Sequence, residues 1–111
     1  MAKAEIVRVE TPEGNAVRDK DPVTVGVTVA PGWFDDPEDL VIKFIYAVTL
    51  EGTDYLSVYH DEITVEYSTE INFKVKAEYG ASPGEYYVQI KKKSSGETIA
   101  SDPDDGTITV S

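Results

Sequence analysis

Val23-Thr24-Val25-Gly26-Val27-Thr28-Val29 decides the fold class. The valines point one way, and Thr24, Gly26 and Thr28 the other. Only an extended strand turns this period of two into one apolar and one polar face. A polar face also marks an antiparallel sheet, because parallel strands are covered on both sides and read as continuous apolar runs. Asp19-Lys20-Asp21-Pro22 just before it is turn chemistry, with Pro presetting φ.

Working toward the N-terminus, Thr11-Pro12-Glu13-Gly14-Asn15 is another turn. Glu5–Glu10 then reads as a strand with Val7 and Val9 on one face and Ile6 and Arg8 on the other, and Val17 briefly rejoins the sheet. Working toward the C-terminus, residues 30–40 are irregular. Within them Asp36-Pro37-Glu38-Asp39-Leu40 suits a single helical turn, Asp at the N-cap and Pro at the first position. Residues 41–50 read as one long strand with Ile42, Phe44, Tyr46, Val48 and Leu50 on a common face. Residues 55–59 and 63–67 are short strands around His60-Asp61-Glu62. Residues 70–79 alternate, with Ile71, Phe73, Val75, Ala77 and Tyr79 together. After the corner Gly80-Ala81-Ser82-Pro83-Gly84, residues 85–92 turn Tyr86, Val88 and Ile90 inward. Ser94-Ser95-Gly96-Glu97 is a hairpin turn, and residues 98–101 and 107–110 read as one last strand broken by a loop. About seven strands with turn signals roughly every ten residues predict an all-β fold, an antiparallel two-sheet sandwich, in one domain over residues 1–111.

Composition narrows the function. Ten Lys and Arg against 21 Asp and Glu give a formal charge of −11 over 111 residues. That balance disfavours a nucleic-acid partner, which needs clustered cations. No apolar run approaches the ~20 residues of a membrane-spanning helix. The absence of Cys excludes disulfides, thiolate metal sites and Cys nucleophiles together. Met1-Ala2-Lys3 leads straight into alternation, so this sequence reads without a secretory leader.

Residues 62–75, Glu-Ile-Thr-Val-Glu-Tyr-Ser-Thr-Glu-Ile-Asn-Phe-Lys-Val, and 81–90, Ala-Ser-Pro-Gly-Glu-Tyr-Tyr-Val-Gln-Ile, carry a resemblance. They look like strands E and F of prokaryotic immunoglobulin-like and fibronectin type III-like modules, in which a Pro-Gly-x-Tyr corner opens strand F. Asp21-Pro22-Val23-Thr24-Val25 resembles the start of strand B. The resemblance implies an immunoglobulin/fibronectin type III-like sandwich of about seven strands, with Tyr86 as a tyrosine corner bonding upstream backbone. It also implies a non-catalytic structural, adhesion or accessory binding module of a larger extracellular or cell-surface assembly, as a monomer or part of a longer chain. Its partner would be a protein or a polysaccharide at the cell surface. The Cys pair of true immunoglobulin domains is missing, and Trp33 stands about ten residues too early for their buried strand-C Trp. Such regularity without Cys also suits a designed sandwich scaffold with no natural ligand, although the irregular residues 30–40 and the interrupted last strand argue against an idealised design.

Three groups of residues carry candidate chemistry. Trp33 and Phe34 in a Gly-Pro loop are the candidate ligand-binding pair, suited to stacking on a sugar ring, which would make this a carbohydrate-binding module; the alternative is that they cap the sandwich. Asp35, Asp36, Glu38 and Asp39 in one loop and Asp102, Asp104 and Asp105 in another are the candidate metal ligands. Calcium is the cation their hard oxygens suit, as a structural ion. Neither loop has the EF-hand pattern, and the same residues are ordinary turn formers. His60 beside Asp61 lacks a neighbouring Ser nucleophile or oxyanion-hole glycine motif and reads as a solvated turn, so no catalytic residue is assigned. Lys91-Lys92-Lys93 is the one basic run, placed where lysines blunt a sheet edge.

Overall fold

The computed structural model describes residues 4–101 and 106–111. Within them two antiparallel sheets of five strands each enclose one core. In chain order the strands are β1 (Glu5–Glu10), β2 (Val23–Ala30), β3 (Leu40–Tyr46), β4 (Gly52–Thr53), β5 (Leu56–Val58), β6 (Thr64–Tyr67), β7 (Glu70–Ala77), β8 (Gly84–Lys92), β9 (Thr98–Ala100) and β10 (Ile108–Val110). The first sheet runs β1-β2-β7, with β5 and β6 sharing the far side of β7. The second runs β4-β3-β8, with β9 and β10 sharing the far side of β8. The last strand is thus interrupted, as its sequence reads.

The valine stretch behaves as its period requires. Val25, Val27 and Val29 are buried, and β2 lies between β1 and β7. Ile71, Phe73, Val75 and Ala77 of β7 join them, facing Ile42 and Phe44 of β3 and Tyr86, Val88 and Ile90 of β8. Phe44 and Phe73 meet across the sheets at 6.2 Å between ring centroids. Each such burial contributes roughly 1.5–3 kcal/mol, so the shared core is what holds the two sheets together.

Three strand readings need correction. A bulge between Ile6 and Arg8 resets the alternation of β1, so Ile6 and Val9 both face the core and Val7 faces solvent. The strand expected over residues 41–50 stops at Tyr46, whose partner on β8 is Tyr86. Two residues further along, β8 begins at Gly84, and the chain has no ladder left to follow. It turns back through Leu50 at φ 59°, leaving Val48 and Leu50 76% and 70% exposed. The strand expected to reach Tyr79 ends at Ala77, opposite Leu56 at the start of β5, and Tyr79 is 81% exposed. In the last two cases the end of the neighbouring strand decides the boundary.

Ala16, not Val17, rejoins a sheet, and the sheet is the second one. It bridges Val110 in parallel, with Ala16 N–H donating to Thr109 O and Ser111 N–H to Ala16 O, both at 2.9 Å. β1 begins opposite Ala30, and β10 finishes opposite Gly84, at the other end of the sheets. The body measures 40 × 26 × 24 Å.

Candidate functional site

The irregular residues 30–39 close one end of the core. Backbone N–H groups of Trp33 and Phe34 both donate to Ser68 O, at 2.7 and 2.9 Å, pinning the loop to the turn between β6 and β7. This drives both rings inward, where they meet edge to face at 5.6 Å. Trp33 is 8% and Phe34 2% exposed, so neither offers a face on which a sugar could stack. In place of the candidate ligand platform, the structure has a lid over the core. Lys92 Nζ lies 4.6 Å from the Trp33 ring centroid and covers it from outside.

The acidic residues that follow are separately occupied. Asp36 is the N-cap of a single 3-10 turn, Pro37–Asp39, and accepts from Glu38 N–H at 2.9 Å; the helical turn, its cap and its Pro stand as the sequence predicts. Asp35 lies 3.6 Å from Lys92 Nζ. Asp39 clasps the hairpin turn after β8, its carboxylate accepting from Ser94 N–H at 2.9 Å and Ser94 Oγ–H at 2.7 Å. The Ser94 hydroxyl and backbone N–H, with Lys92 and Lys93 nearby, hold the Asp39 carboxyl below its ordinary value. Glu38 is exposed. Among the described residues no three Asp, Glu or His side chains gather as metal ligands. Asp102, Asp104 and Asp105 lie outside the described residues.

His60 opens a second 3-10 turn, His60–Glu62, which separates β5 from β6. Its Nε2 accepts from Ile42 N–H at 3.1 Å. That N–H lies on the side of β3 away from β8, beyond the reach of the two-residue β4, which pairs only with Phe44 and Ile45. The exposed imidazole stands in a turn, as the sequence reads, and it also ties the edge of the first sheet to a strand of the second. An open groove of about 790 Å³ lies here, lined by His60, Asp61, Glu38, Lys93, Leu40 and Ile63 among others, and among the described residues no Ser, Thr or Cys hydroxyl or thiol lines it. With Nε2 committed to the backbone, the ring has no acceptor left for a substrate proton while that bond holds.

Tyr86, at the corner opening β8, donates its hydroxyl to Ser82 O at 2.7 Å. Burial pushes its phenol above the ordinary value, and Tyr46, 4.9 Å away between ring centroids, adds to the shift. Tyr46 Oη–H reinforces the same corner by donating to Pro83 O at 2.9 Å.

One surface was not foreseen from the sequence. β8 is central, so the Lys91-Lys92-Lys93 run does not blunt an edge. Lys92 turns in over Trp33. Lys91 and Lys93 line a shallow depression on the outer face of the second sheet with Val41, Lys43, Gln89 and Thr98. Lys43 is isolated in the sequence, and only the β3–β8 register brings it beside Lys91.

No protein-family model matches this chain, and no curated protein matches it either. Among the described residues no helix is long and apolar enough to cross a membrane.

Proposed function

We propose that the chain is a non-catalytic structural module of immunoglobulin/fibronectin type III-like type, working as a spacer or adhesion domain within a larger extracellular or cell-surface assembly. The observation that carries this reading is where the chain enters and leaves. β1 starts at one end of the sheets and β10 finishes at the other, so tension between them runs along the strands. It meets β1 bonded to β2, then residues 16–18 bonded to residues 109–111. Parallel segments pulled in opposite directions load their hydrogen bonds together, in shear, and not one after another.

Other features support the family type. Strand orders β1-β2-β7-β5 and β3-β8-β10 correspond to the A-B-E-D and C-F-G sheets of such domains. The Tyr86 hydroxyl on upstream backbone suits a tyrosine corner. The bulge in β1 and the broken edges are irregularities that an idealised design avoids.

Stretching a tandem array of identical copies in a single-molecule force experiment tests the reading. Each copy should rupture in one step, and Ala16→Pro, which deletes a donor of the 16–18 ladder, should lower the rupture force. Gradual lengthening without a discrete rupture would refute the spacer role.

A further inference from the structure

We propose that the outer face of the second sheet binds a carboxylate-bearing polysaccharide, held by Lys43 and Lys91 with Lys93 at the rim. The inference names a partner class for the module proposed above. The charge pattern is the first argument. The chain has 21 acidic side chains to 10 basic ones, yet among the described residues the depression lined by Val41, Lys43, Gln89, Lys91, Lys93 and Thr98 contains no carboxylate. At the far end of the same face, beyond Tyr87, the exposed Glu85 accepts from Thr107 Oγ1–H at 3.2 Å, whereas on the outer face of the first sheet carboxylates lie beside the lysines themselves. There Lys74 acts on Glu13, and Lys76 shares a depression with Asp19 and Asp21.

The register makes the arrangement specific. Lys43 is opposite Gln89, and Lys91 is opposite Val41 on one side and Thr98 on the other. Lys43 and Lys91 are therefore diagonal neighbours on one face, at roughly 7–8 Å. Neighbouring like charges cost the free protein stability, and an anion lying between them removes that cost. The carboxylate of Asp39 acts on Lys93 at the rim but is already held by Ser94.

The same geometry selects the partner. β8 is paired on both sides, so its backbone groups are used within the sheet and an acidic peptide cannot add to it as a strand. Recognition falls to side chains alone: ammonium groups for carboxylates, Gln89 and Thr98 for hydroxyls. Further along the face, the partly buried Tyr87, opposite Ile45, provides an apolar ring edge for a sugar. A two-fold copy stacked face to face would set these lysines against themselves. Screening over about 8 Å at physiological salt confines the repulsion from the rest of the −11 chain, so local contacts dominate.

The test is titration of the folded chain with an oligogalacturonate, in parallel with neutral dextran, polyglutamate and single-stranded DNA. Amide shifts in the wild-type protein are followed at Lys43, Gln89 and Lys91. Oligogalacturonate should bind and move those amides, and dextran should not bind. The double variant Lys43→Gln/Lys91→Gln should bind at least tenfold more weakly, while Lys74→Gln/Lys76→Gln, which removes the same charge from the other sheet, should stay within twofold of wild type. No binding of oligogalacturonate, equal losses in the two variants, or tighter binding of polyglutamate or DNA would overturn the proposal. The force experiment contains no saccharide, so the spacer reading and this one fail separately.

Discussion

His60 shows how a single side chain can substitute for a missing strand. β4 covers only Phe44 and Ile45, and the imidazole takes the Ile42 N–H that a longer β4 would have received. His60→Ala leaves that donor without its partner, which costs about 1–3 kcal/mol. The expected result is a melting temperature lower by roughly 4–8 °C for each kcal/mol lost, measured by thermal unfolding; an unchanged melting temperature would show that the bond contributes nothing. Asp39 contributes a pH dependence, as Glu13 does through Thr24. Its carboxyl is held below the ordinary value by Ser94, so its stabilisation is present above the ordinary carboxyl range and is lost as pH falls through the depressed value. Asp39→Ala should therefore melt below wild type at neutral pH, and the two melting curves should converge in acid. A gap that persists at low pH would mean that the ionised carboxylate is not what Ser94 stabilises.

At the scale of an element, β1 is the sharpest test of register. Simple alternation puts Val7 and Val9 on one face, but the bulge puts Val9 in the core with Ile6 and leaves Val7 outside. Val7→Lys should change stability by less than about 0.5 kcal/mol, as surface substitutions do. Val9→Lys would bury an unpaired ammonium and should cost several kcal/mol. Denaturant unfolding of both variants distinguishes the two registers, and equal costs would refute the bulge. The other edges are managed in related ways. β5 and β6 are split by the His60–Glu62 turn, β9 and β10 are three residues long each, and β4 is two residues long. Among the described residues no edge presents a long, flat row of free backbone groups, which limits edge-to-edge association.

At the scale of the whole molecule, both sheets contribute to one continuous core that ends under Trp33 and Phe34. Neither sheet is expected to keep its apolar face folded without the other. Trp33 fluorescence should be blue-shifted in the native state, and its loss should coincide with the loss of far-UV strand signal in a single transition. Separated transitions would mean that the capped end opens independently. Much of this was legible in the sequence, because the information is local. The valine period in β2 and the Asp36-Pro37 cap each depend on residues a few positions apart, where covalent geometry leaves few choices, and the Tyr86 corner is what the family resemblance implies. What was not legible depends on neighbours distant in the chain. β3 and β7 stop where their partner strands start. The end loop turns Trp33 inward because Ser68 holds it. Lys43 meets Lys91 only through a register 48 positions long in sequence separation. Alternation, composition and turn chemistry determined that this chain makes antiparallel sheets around an apolar interior; the pairing of remote strands decided where those strands end, which aromatic rings are hidden, and which charges share a face, because hydrogen-bond ladders and side-chain burial are settled between segments and not within them.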